Sequence, residues 1–324
     1  MNVFVTGHRG YIGVHVVDVL QRAGHRVTGC DSGLFDGCEW EPHAAPDVEL
    51  RRDVRTLELS DVRGHDCVMH LAAISNDPMG DVDPGLTLSV NRDASVRLAE
   101  LAKDAGVPRW LFAGSCSVYG QATDHDVVES DPLNPLTAYA RSKIEVEEAV
   151  RPLADESFTP VFLRNATAYG HSPMLRVDLV VNNLLACAVA LGEIRIMSDG
   201  TPWRPLVHCR DIARAFLALA DADVDGGVAV NVGANEENYQ VRDVAALVQE
   251  LVHEEEIEFT GEAGNDPRSY RVNFDLLAAI APGFRLEYTL RRGMEELHAK
   301  LVEHDFSRAD WEGDRFVRLR RLLA

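Results

Sequence analysis

The first thirteen residues constrain the fold more strongly than any other part of the chain. Residues 2–6 are typical of a short buried strand, and a glycine-rich segment, residues 7–13, follows directly. From residue 11 to residue 22 the apolar side chains recur at helical spacing. A strand, a glycine turn and a helix in this order begin a dinucleotide-binding unit, because glycines let the backbone approach a diphosphate lying on the helix N-terminus. The residues expected to contact the dinucleotide in this unit are Gly7, Gly10, Tyr11, Ile12 and Gly13.

An acidic residue after the second predicted strand indicates which dinucleotide binds. That strand covers residues 25–30 and ends at Asp31. A carboxylate at this place accepts hydrogen bonds from the adenosine ribose and repels a 2′-phosphate, so the sequence favours NAD over NADP. Arg9 weakens the preference, since an arginine in the glycine loop could meet that phosphate. A role for Asp31 as a helix cap or turn residue stays open.

Strands and helices continue to alternate along the chain. Further strands are predicted at 66–71, 109–113 and 161–164, with a helix from 86 to 105 between the first two. Such alternation predicts an α/β fold with a doubly wound parallel sheet of the Rossmann type. Polar segments beyond residue 165 interrupt the pattern and predict a smaller, interleaved substrate-binding domain. The expected division is an NAD-binding domain of residues 1–165 and 206–232, and a substrate domain of residues 166–205 and 233–324.

Composition excludes several classes of protein. A net charge of −20 argues against binding to nucleic acid or to an anionic membrane. The chain has no apolar run of about 18 residues, the length that spans a bilayer. The first strand begins at Asn2 and leaves no room for a signal peptide, so a cytoplasmic location is expected. The six cysteines lack CxxC spacing, and no metal site is predicted.

A tyrosine and a lysine at helical spacing are the candidate reactive groups. Tyr139 and Lys143 lie four residues apart and share one helix face, and the chain has only three lysines. An ammonium beside a phenol stabilises the phenolate, and a serine hydroxyl such as Ser115 can bridge the phenol and a substrate hydroxyl. Each motif alone could be structural, as an exposed helix pair or a turn. In this order after the glycine segment, they predict proton transfer on a sugar alcohol coupled to hydride transfer with NAD.

With these residues the chain resembles the extended short-chain dehydrogenase/reductase family of nucleotide-sugar epimerases and dehydratases. The resemblance covers nearly the whole chain, and its motifs here are GHRGYIG, HLAAISN, SCSVYG, YARSK and WRPLVHCRDIARAF. It implies Tyr139 as the acid/base, Lys143 as the partner of the phenol and the nicotinamide ribose, and Ser115 as the hydroxyl partner. It further implies that the dinucleotide is lined by Asp53, Val54, Leu71, Ala72 and Ala73, and that Asn91 supports its nicotinamide side.

The same resemblance indicates residues that bind the substrate, a nucleotide-diphosphate sugar. Asn183 is implied to bond the nucleotide, and Arg204 and Arg268 to hold the diphosphate, a task suited to the planar guanidinium. Local arginines are needed because an anionic ligand must enter a protein of net charge −20. Each could instead form a surface ion pair. Ser117 and Thr167 are expected at the pocket, Arg176 and Arg195 are weaker candidates, and the family often has Asn in place of Thr167 and Asp in place of Pro205.

The absence of acidic residues at positions 116 and 117 limits the reactions that this chain is expected to catalyse. Dehydratases of the family carry an Asp-Glu pair where this chain has Cys116 and Ser117, and decarboxylating relatives have a Glu at the second place. Enzymes that epimerise next to a ketone place a cysteine at residue 117, so Cys116 is one residue too early and is expected to pack. Once dehydration, decarboxylation and epimerisation next to a ketone are set aside, the remaining reaction is that of a 4-epimerase, which oxidises and re-reduces the sugar. A 4-ketoreductase or dehydratase of the same family is the alternative, and an NAD-sensing regulator without catalysis is a remote one.

Two expectations concern the outer parts of the molecule. Helices at 91–105 and 139–150 would pair with their copies in a homodimer, through apolar residues that could equally face the chain's own sheet. The tail beyond residue 290 has a helical stretch and an arginine-rich end. It has no functional assignment, and it is expected to dock on its own domain.

Overall fold

A computed structural model describes residues 1–75, 77–252, 257–259 and 268–324. Asn76, the last residue of the HLAAISN motif, and parts of the expected substrate domain lie outside these ranges. The strands are β1 (Asn2–Thr6), β2 (Arg26–Asp31), β3 (Val48–Arg51), β4 (Cys67–His70), β5 (Arg109–Ser115), β6 (Gln121–Val127), β7 (Thr159–Asn165), β8 (Thr167–Tyr169), β9 (Ile194–Ile196), β10 (Trp203–His208), β11 (Val228–Val232), β12 (Asn238–Gln240), β13 (Ile257–Phe259) and β14 (Ser269–Val272).

The helices alternate with these strands through the first two thirds of the chain. They are α1 (Gly13–Arg22), α2 (Leu59–Val62), α3 (Asp77–Val82), α4 (Pro84–Leu88), α5 (Ala94–Asp104), α6 (Ala138–Val150), α7 (Val180–Leu191), α8 (Cys209–Ala220), α9 (Val241–Val252), α10 (Asp275–Ile280), α11 (Leu290–Glu303), α12 (Arg308–Glu312) and α13 (Arg318–Leu323). None of the helices in the described ranges is both long and apolar enough to cross a bilayer.

A seven-stranded sheet in the order β11-β7-β5-β4-β1-β2-β3 organises the molecule. Every neighbouring pair in it is parallel, as the expected doubly wound fold requires. The strand order reverses between β1 and β4, and ligands of open α/β sheets bind at such a switch point, beyond the carboxyl ends of the strands. The fold therefore places a binding crevice where the glycine turn follows β1 and residues 71–75 follow β4.

Apolar faces of the helices cover both sides of this sheet. The strand β1 is buried from Val3 to Thr6 because helices pack on its two faces, and α1 places Val16, Val17 and Leu20 against one of them. A second cluster, with Leu98, Trp110 and Val146 among its members, fills the opposite face. A third cluster lies where α7, α9 and α11 pack together. The part of the molecule built on the seven-stranded sheet is called the first half, and the part built on these three helices the second half. Each half has its own core, and the crevice opens between them.

The structure corrects two features of the sequence prediction. The helix expected from 86 to 105 is not continuous: α4 ends at Leu88, a π-helical turn covers Ser89–Asp93, and α5 begins at Ala94. The turn widens the helix at Asn91, whose buried side chain bonds a loop instead of facing the sheet. The edge strand β3 was not predicted: apolar and polar residues alternate in Val48–Arg51, but the segment has only four residues and is mostly exposed.

Candidate active site

A cavity of about 1000 Å³ opens at the carboxyl ends of the central strands. This volume is at the upper end of the range for small-molecule sites, roughly 300–1,000 Å³. Of the residues predicted from the sequence to bind cofactor or substrate or to react, every one except Asn91 lines it. They are Gly7, Gly10, Tyr11, Ile12, Gly13, Asp31, Asp53, Val54, Leu71, Ala72, Ala73, Ser115, Ser117, Tyr139, Lys143, Thr167, Asn183, Arg204 and Arg268.

The glycine turn has the shape that a bound diphosphate needs. Gly7 has a φ of +72°, and a Cβ added to it would lie 2.7 Å from the backbone nitrogen of Ala72. A Cβ on Gly13, the first residue of α1, would collide with the carbonyl oxygen of Gly7. Glycine is therefore required at both places, and the turn leaves the amino end of α1 open to the cavity. These residues fit a dinucleotide, with its diphosphate over that helix end.

Asp31 and the ion pairs of Arg9 both favour NAD over NADP. The Asp31 carboxylate lines the cavity at the end of β2 and accepts a hydrogen bond of 2.8 Å from the backbone of Gly33. Arg9 forms ion pairs with Asp36, Glu39 and Glu49 at 3.0 to 3.2 Å. Three carboxylates neutralise this guanidinium, so it offers no positive charge for a 2′-phosphate. The arrangement is that of an NAD site.

Asp53 and Val54 line the cavity at the turn that follows β3. Asp53 caps a short 3-10 turn, Val54–Thr56, by accepting a hydrogen bond from the backbone of Arg55. Its carboxylate also forms an ion pair of 2.6 Å with the Arg55 guanidinium. Val54 is buried beneath the turn and contributes an apolar wall. The turn thus brings a carboxylate and an apolar surface to the cavity.

A buried chain of hydrogen bonds holds the loop after β4. Thr6 Oγ1 lies 2.6 Å from His70 Nδ1, and His70 Nε2 lies 2.6 Å from Ser95 Oγ. Ser95 donates to the carbonyl of Asn91, whose side chain in turn accepts from the backbone nitrogen of Ile74 and donates to its carbonyl. Asn91 therefore lies behind the cavity wall and positions residues 71–75. Burial lowers the pKa of His70 to about 3, so this chain stays neutral.

The candidate reactive groups meet at the start of α6. Thr137 caps this helix by accepting from the backbone nitrogen of Ala140, and the helix presents Tyr139 and Lys143 to the cavity one turn apart. Lys143 is 2% exposed, with its Nζ 4.5 Å from the centre of the Phe112 ring and 5.5 Å from that of Tyr139. Burial lowers the pKa of Lys143 to about 7. The lysine can therefore gain or lose its proton near neutral pH.

At the end of β5, Ser115 lines the cavity and the neighbouring Cys116 does not. Ser115 Oγ accepts a hydrogen bond of 3.1 Å from the backbone of Ser117, which leaves the Ser115 hydroxyl hydrogen for a partner in the cavity. Ser117 Oγ is buried at the cavity and makes no hydrogen bond within the described part of the chain. Cys116 does not line the cavity; its Sγ lies 3.1 Å from the carbonyl of Arg164, and burial raises its pKa. Cys116 therefore packs, as the sequence indicated.

The substrate side of the cavity is built from β8, β10 and α7. Arg204 is 8% exposed on β10 and donates to the carbonyls of Trp203, at 2.8 Å, and Arg268. This contact brings the two arginines expected at the diphosphate to one wall. Asn183 on α7 donates to the carbonyl of Val177 at 2.9 Å and lines the same space. Thr167 opens β8 across from Leu206.

Asn165, Asp178 and Arg318 are polar residues of the cavity that were not selected from the sequence as site residues. Asn165 pairs in register with Ser115, and its Oδ1 is buried without a hydrogen-bond partner among the described residues. Asp178 holds Arg176 in a bidentate ion pair, with both distances 2.9 Å, and Arg176 also donates to Ser75. Arg318 reaches the cavity from the C-terminal helix. The position of Asn165 at a strand end was a usable signal; nothing in the local sequence indicates Arg318.

The family can now be stated. A model of the NAD-dependent epimerase/dehydratase family matches residues 3–233, and the chain belongs to this family. The chain is 28% identical over 315 residues to UDP-glucose 4-epimerase of Mycolicibacterium smegmatis, which covers 94% of this chain and 98% of the relative. It is 26% identical over 317 residues to UDP-glucuronic acid decarboxylase 1 of Danio rerio, covering 93% of this chain and 73% of the relative. Relatives of similar distance thus carry out different reactions.

Solved structures agree with this placement. The NAD-dependent NDP-hexosamine 5,6-dehydratase TunA superimposes with a TM-score of 0.84 at 25% identity, covering 93% of this chain and 98% of that one. MoeE5, in complex with UDP-glucuronic acid and NAD, superimposes with a TM-score of 0.80 at 27% identity, covering 94% and 100%. The fold and the cofactor class are those of NAD-dependent nucleotide-sugar enzymes. The reaction has to be argued from the residues at the site.

Proposed function

We propose that this protein is an NAD-dependent nucleotide-sugar epimerase that inverts the sugar 4-position through a transient 4-keto intermediate. One observation carries the proposal. Tyr139, Lys143 and Ser115 line one cavity, while the adjacent place that would hold a second acid or base contains Ser117, and the Cys116 thiol is buried away from it. The aliphatic hydroxyl of a serine does not ionise near neutral pH, so Ser117 cannot supply the acid or base for elimination or for a second proton abstraction.

The carboxylates of the cavity support the same reaction. Those lining it within the described residues are Asp31, Asp53, Asp83 and Asp178. Asp31 and Asp53 belong to the adenosine end, and Asp83 caps α4. Asp178 is held by Arg176, which favours its ionised form and keeps its pKa below the usual range. None of the four stands at the places of Cys116 and Ser117, where the resemblance puts the acids that remove water from the sugar.

Each reactive residue has a distinct part in the proton transfer. The Tyr139 oxygen removes the proton from the sugar hydroxyl, and the Ser115 hydroxyl hydrogen bonds to the oxygen that loses it. A protonated Lys143 stabilises the phenolate of Tyr139. The attraction between the two charges is stronger than in water because the space between them is buried. Bound NAD would supply reversible hydride transfer at the sugar carbon. Once the keto-sugar has turned its other face toward the cofactor, Tyr139 would give the proton back to the oxygen, and the C4 configuration would be inverted.

Arg204 and Arg268 are proposed to hold the diphosphate of the substrate, with Asn183 near the nucleotide. They lie on one wall of the cavity, and Arg204 is nearly buried. A buried guanidinium in an acidic protein gives the local positive field that an anionic ligand needs. UDP is the first nucleotide to test, because MoeE5 was crystallised with a UDP-sugar and the two relatives named above act on UDP-sugars.

We further propose that the enzyme is a homodimer, formed through α5 and α6. Leu98, Ile144 and Val146 are buried within the chain's own core. Val96 and Leu101 remain partly exposed and line a shallow groove between the two helices. The groove is therefore the place where a second copy would add apolar contacts.

The test is to identify the product and follow the hydrogen at C4. Small molecules released on denaturation are analysed by mass spectrometry, and the released nucleotide sugar, with UDP-glucose and UDP-glucuronic acid, is incubated with the enzyme in D₂O. We expect C4 epimers of unchanged mass, without solvent deuterium at C4 and without net consumption of NADH. Tyr139→Phe should lower turnover by about 100-fold or more. Cys116→Ser, which changes a buried thiol outside the cavity, should retain the turnover of the wild type.

Other outcomes identify the alternatives. Stoichiometric consumption of NADH with a keto-sugar would make the protein a 4-ketoreductase. A product lighter by one water would make it a dehydratase, and one lighter by CO₂ a decarboxylase. Solvent deuterium beside the ketone would indicate epimerisation through an enolate. Unchanged turnover in Tyr139→Phe would remove this tyrosine from the mechanism.

A further inference from the structure

The C-terminal strap, residues 305–324, joins the two halves of the molecule across one end of the cavity. Its Phe316 carbonyl accepts a hydrogen bond of 3.0 Å from the backbone of Val177, in the second half. Its arginines reach the loop that follows Asp31 in the first half: Arg315 donates to the carbonyl of Glu39, and Arg321 to that of Asp36 at 3.3 Å. Helix α13 also contacts α3 beside the cavity. The strap is thus a direct connection over the cofactor crevice.

Arg318 is the buried charged residue among the described residues of the strap. It is 3% exposed, lines the cavity, and donates to the carbonyls of Arg315, Met174 and Leu175 at 2.7 to 3.3 Å. Within the described residues no carboxylate lies within 4.0 Å of its guanidinium. Such a buried cation is costly unless an anion neutralises it.

The surroundings of Arg318 increase this need for an anion. The nearest buried pair is Arg176 with Asp178, in which the carboxylate already has a bidentate guanidinium partner. Asp178 is therefore occupied by Arg176, and the hydrogen-bond acceptors of Arg318 within the described residues are main-chain carbonyls. Burial, with the nearby positive charge of Arg176, lowers the pKa of Arg318 to about 10. Arg320, on the same helix, is exposed and also donates only to main-chain carbonyls, of Trp311 and Gly313.

The position of Arg318 indicates which anion would neutralise it. Its guanidinium lies 5.1 Å from the centre of the Phe35 ring and bonds the carbonyl of Met174. Phe35 and Met174 pack together with Cys38 and with Val14, which is in the first turn of α1. Arg318 is therefore near the amino end of α1, where the glycine turn leaves room for a diphosphate.

We propose that Arg318 binds the diphosphate of the bound dinucleotide, and that the C-terminal strap thereby retains the cofactor within the enzyme. This inference rests on the proposed function, since an epimerase regenerates its cofactor in each cycle and gains by keeping it. Arg318 would supply a positive charge from the far end of the chain to a site otherwise formed by the first half of the sequence. It also gives the strap a role beyond covering its own domain.

The experiment compares Arg318→Gln with Arg320→Gln. Cofactor-free protein is titrated with NAD, ADP-ribose, adenosine and UDP by calorimetry. Loss of a charge-assisted hydrogen bond to phosphate should weaken NAD and ADP-ribose binding by about 10- to 100-fold in Arg318→Gln. Adenosine, which lacks the diphosphate, and UDP should bind as to the wild type. Arg320→Gln should bind all four unchanged, and Arg318→Lys, which keeps a positive charge, should recover part of the lost affinity.

A second readout separates binding from a purely structural role. If Arg318 serves the cofactor, the unfolding temperature of cofactor-free Arg318→Gln should be no lower than that of cofactor-free wild type, because a buried unpaired charge is removed. The rise in unfolding temperature that NAD causes should shrink. A lower unfolding temperature with unchanged NAD affinity would overturn the proposal, as would a loss confined to UDP. These titrations need no turnover, so an enzyme that proves to be a reductase would leave this result interpretable.

Discussion

At the scale of the residue, the site depends on a lysine held where its charge is unfavourable. Lys143 is buried between the rings of Phe112 and Tyr139, and burial alone lowers its pKa to about 7. Folding therefore places a destabilising group next to the candidate reactive phenol. Proteins tolerate such groups at sites where they contribute to chemistry. The cost should be measurable as a pH-dependent loss of stability in protein stripped of cofactor.

Replacing Lys143 by Met should stabilise cofactor-free protein, and more so at low pH. A lysine with a pKa of about 7 in the folded state and 10.5 in the unfolded state binds fewer protons when folded between these values. The free energy of unfolding of the wild type therefore rises with pH across this window. The advantage of Lys143→Met should be on the order of a few kcal/mol below about pH 7 and fade toward pH 10.

Urea unfolding at several pH values measures this advantage, and Lys103→Met is the control. Lys103 is partly exposed on α5 and pairs with Asp155 at 2.6 Å, so its ammonium does not carry the same burial cost. The difference in the free energy of unfolding between Lys103→Met and wild type should show no comparable change with pH from about pH 6 to about pH 9. An advantage of Lys143→Met that grows with pH would mean that Lys143 is stabilised as a cation in the folded protein.

At the scale of the element, helix α6 has to hold Tyr139 and Lys143 in one orientation. A buried ion pair fixes it to the central sheet: Glu147 on α6 accepts from Arg164 on β7 at 3.0 and 2.6 Å. Arg164 also donates to Tyr119 and to the carbonyl of Glu129, so its hydrogen-bonding groups are used in several directions. The reactive end of the helix is thus positioned by a contact two turns away.

Glu147→Ala should destabilise the protein strongly, because it leaves the Arg164 guanidinium buried without its carboxylate. Breaking a buried pair from one side costs about 3–5 kcal/mol in the free energy of unfolding. Glu148→Ala, at the exposed neighbouring position of the same helix, is the control and should cost little. Urea unfolding compares the two. Equal losses would mean that the pair adds nothing beyond helix propensity.

At the scale of the whole molecule, local patterns indicated which residues gather at the cavity better than they indicated where the helices are interrupted. The glycine turn and the tyrosine–lysine spacing are set by adjacent residues, and the structure brings both to one cavity. The break in the helix at Asn91 was not foreseen, because it serves a bond to Ile74 that is formed only in the folded chain. Arg318 was missed for the same reason: its burial depends on where the C-terminal strap lies, nearly 300 residues from the glycine turn. Contacts between distant segments carry information that local periodicity does not contain.

The assembly proposed through α5 and α6 can be tested by mass in solution. A chain of 35.7 kDa should give about twice that mass by light scattering if two copies associate through the groove lined by Val96 and Leu101. Leu101→Glu should favour the monomer, because it places a charge where apolar contact is expected and beside Glu100 and Asp104 of the same groove. Val189→Glu, a change at a partly exposed apolar position on α7, should leave the mass unchanged. A wild-type mass of one chain would refute the dimer, and a dimer that persists in Leu101→Glu would place its interface on another face.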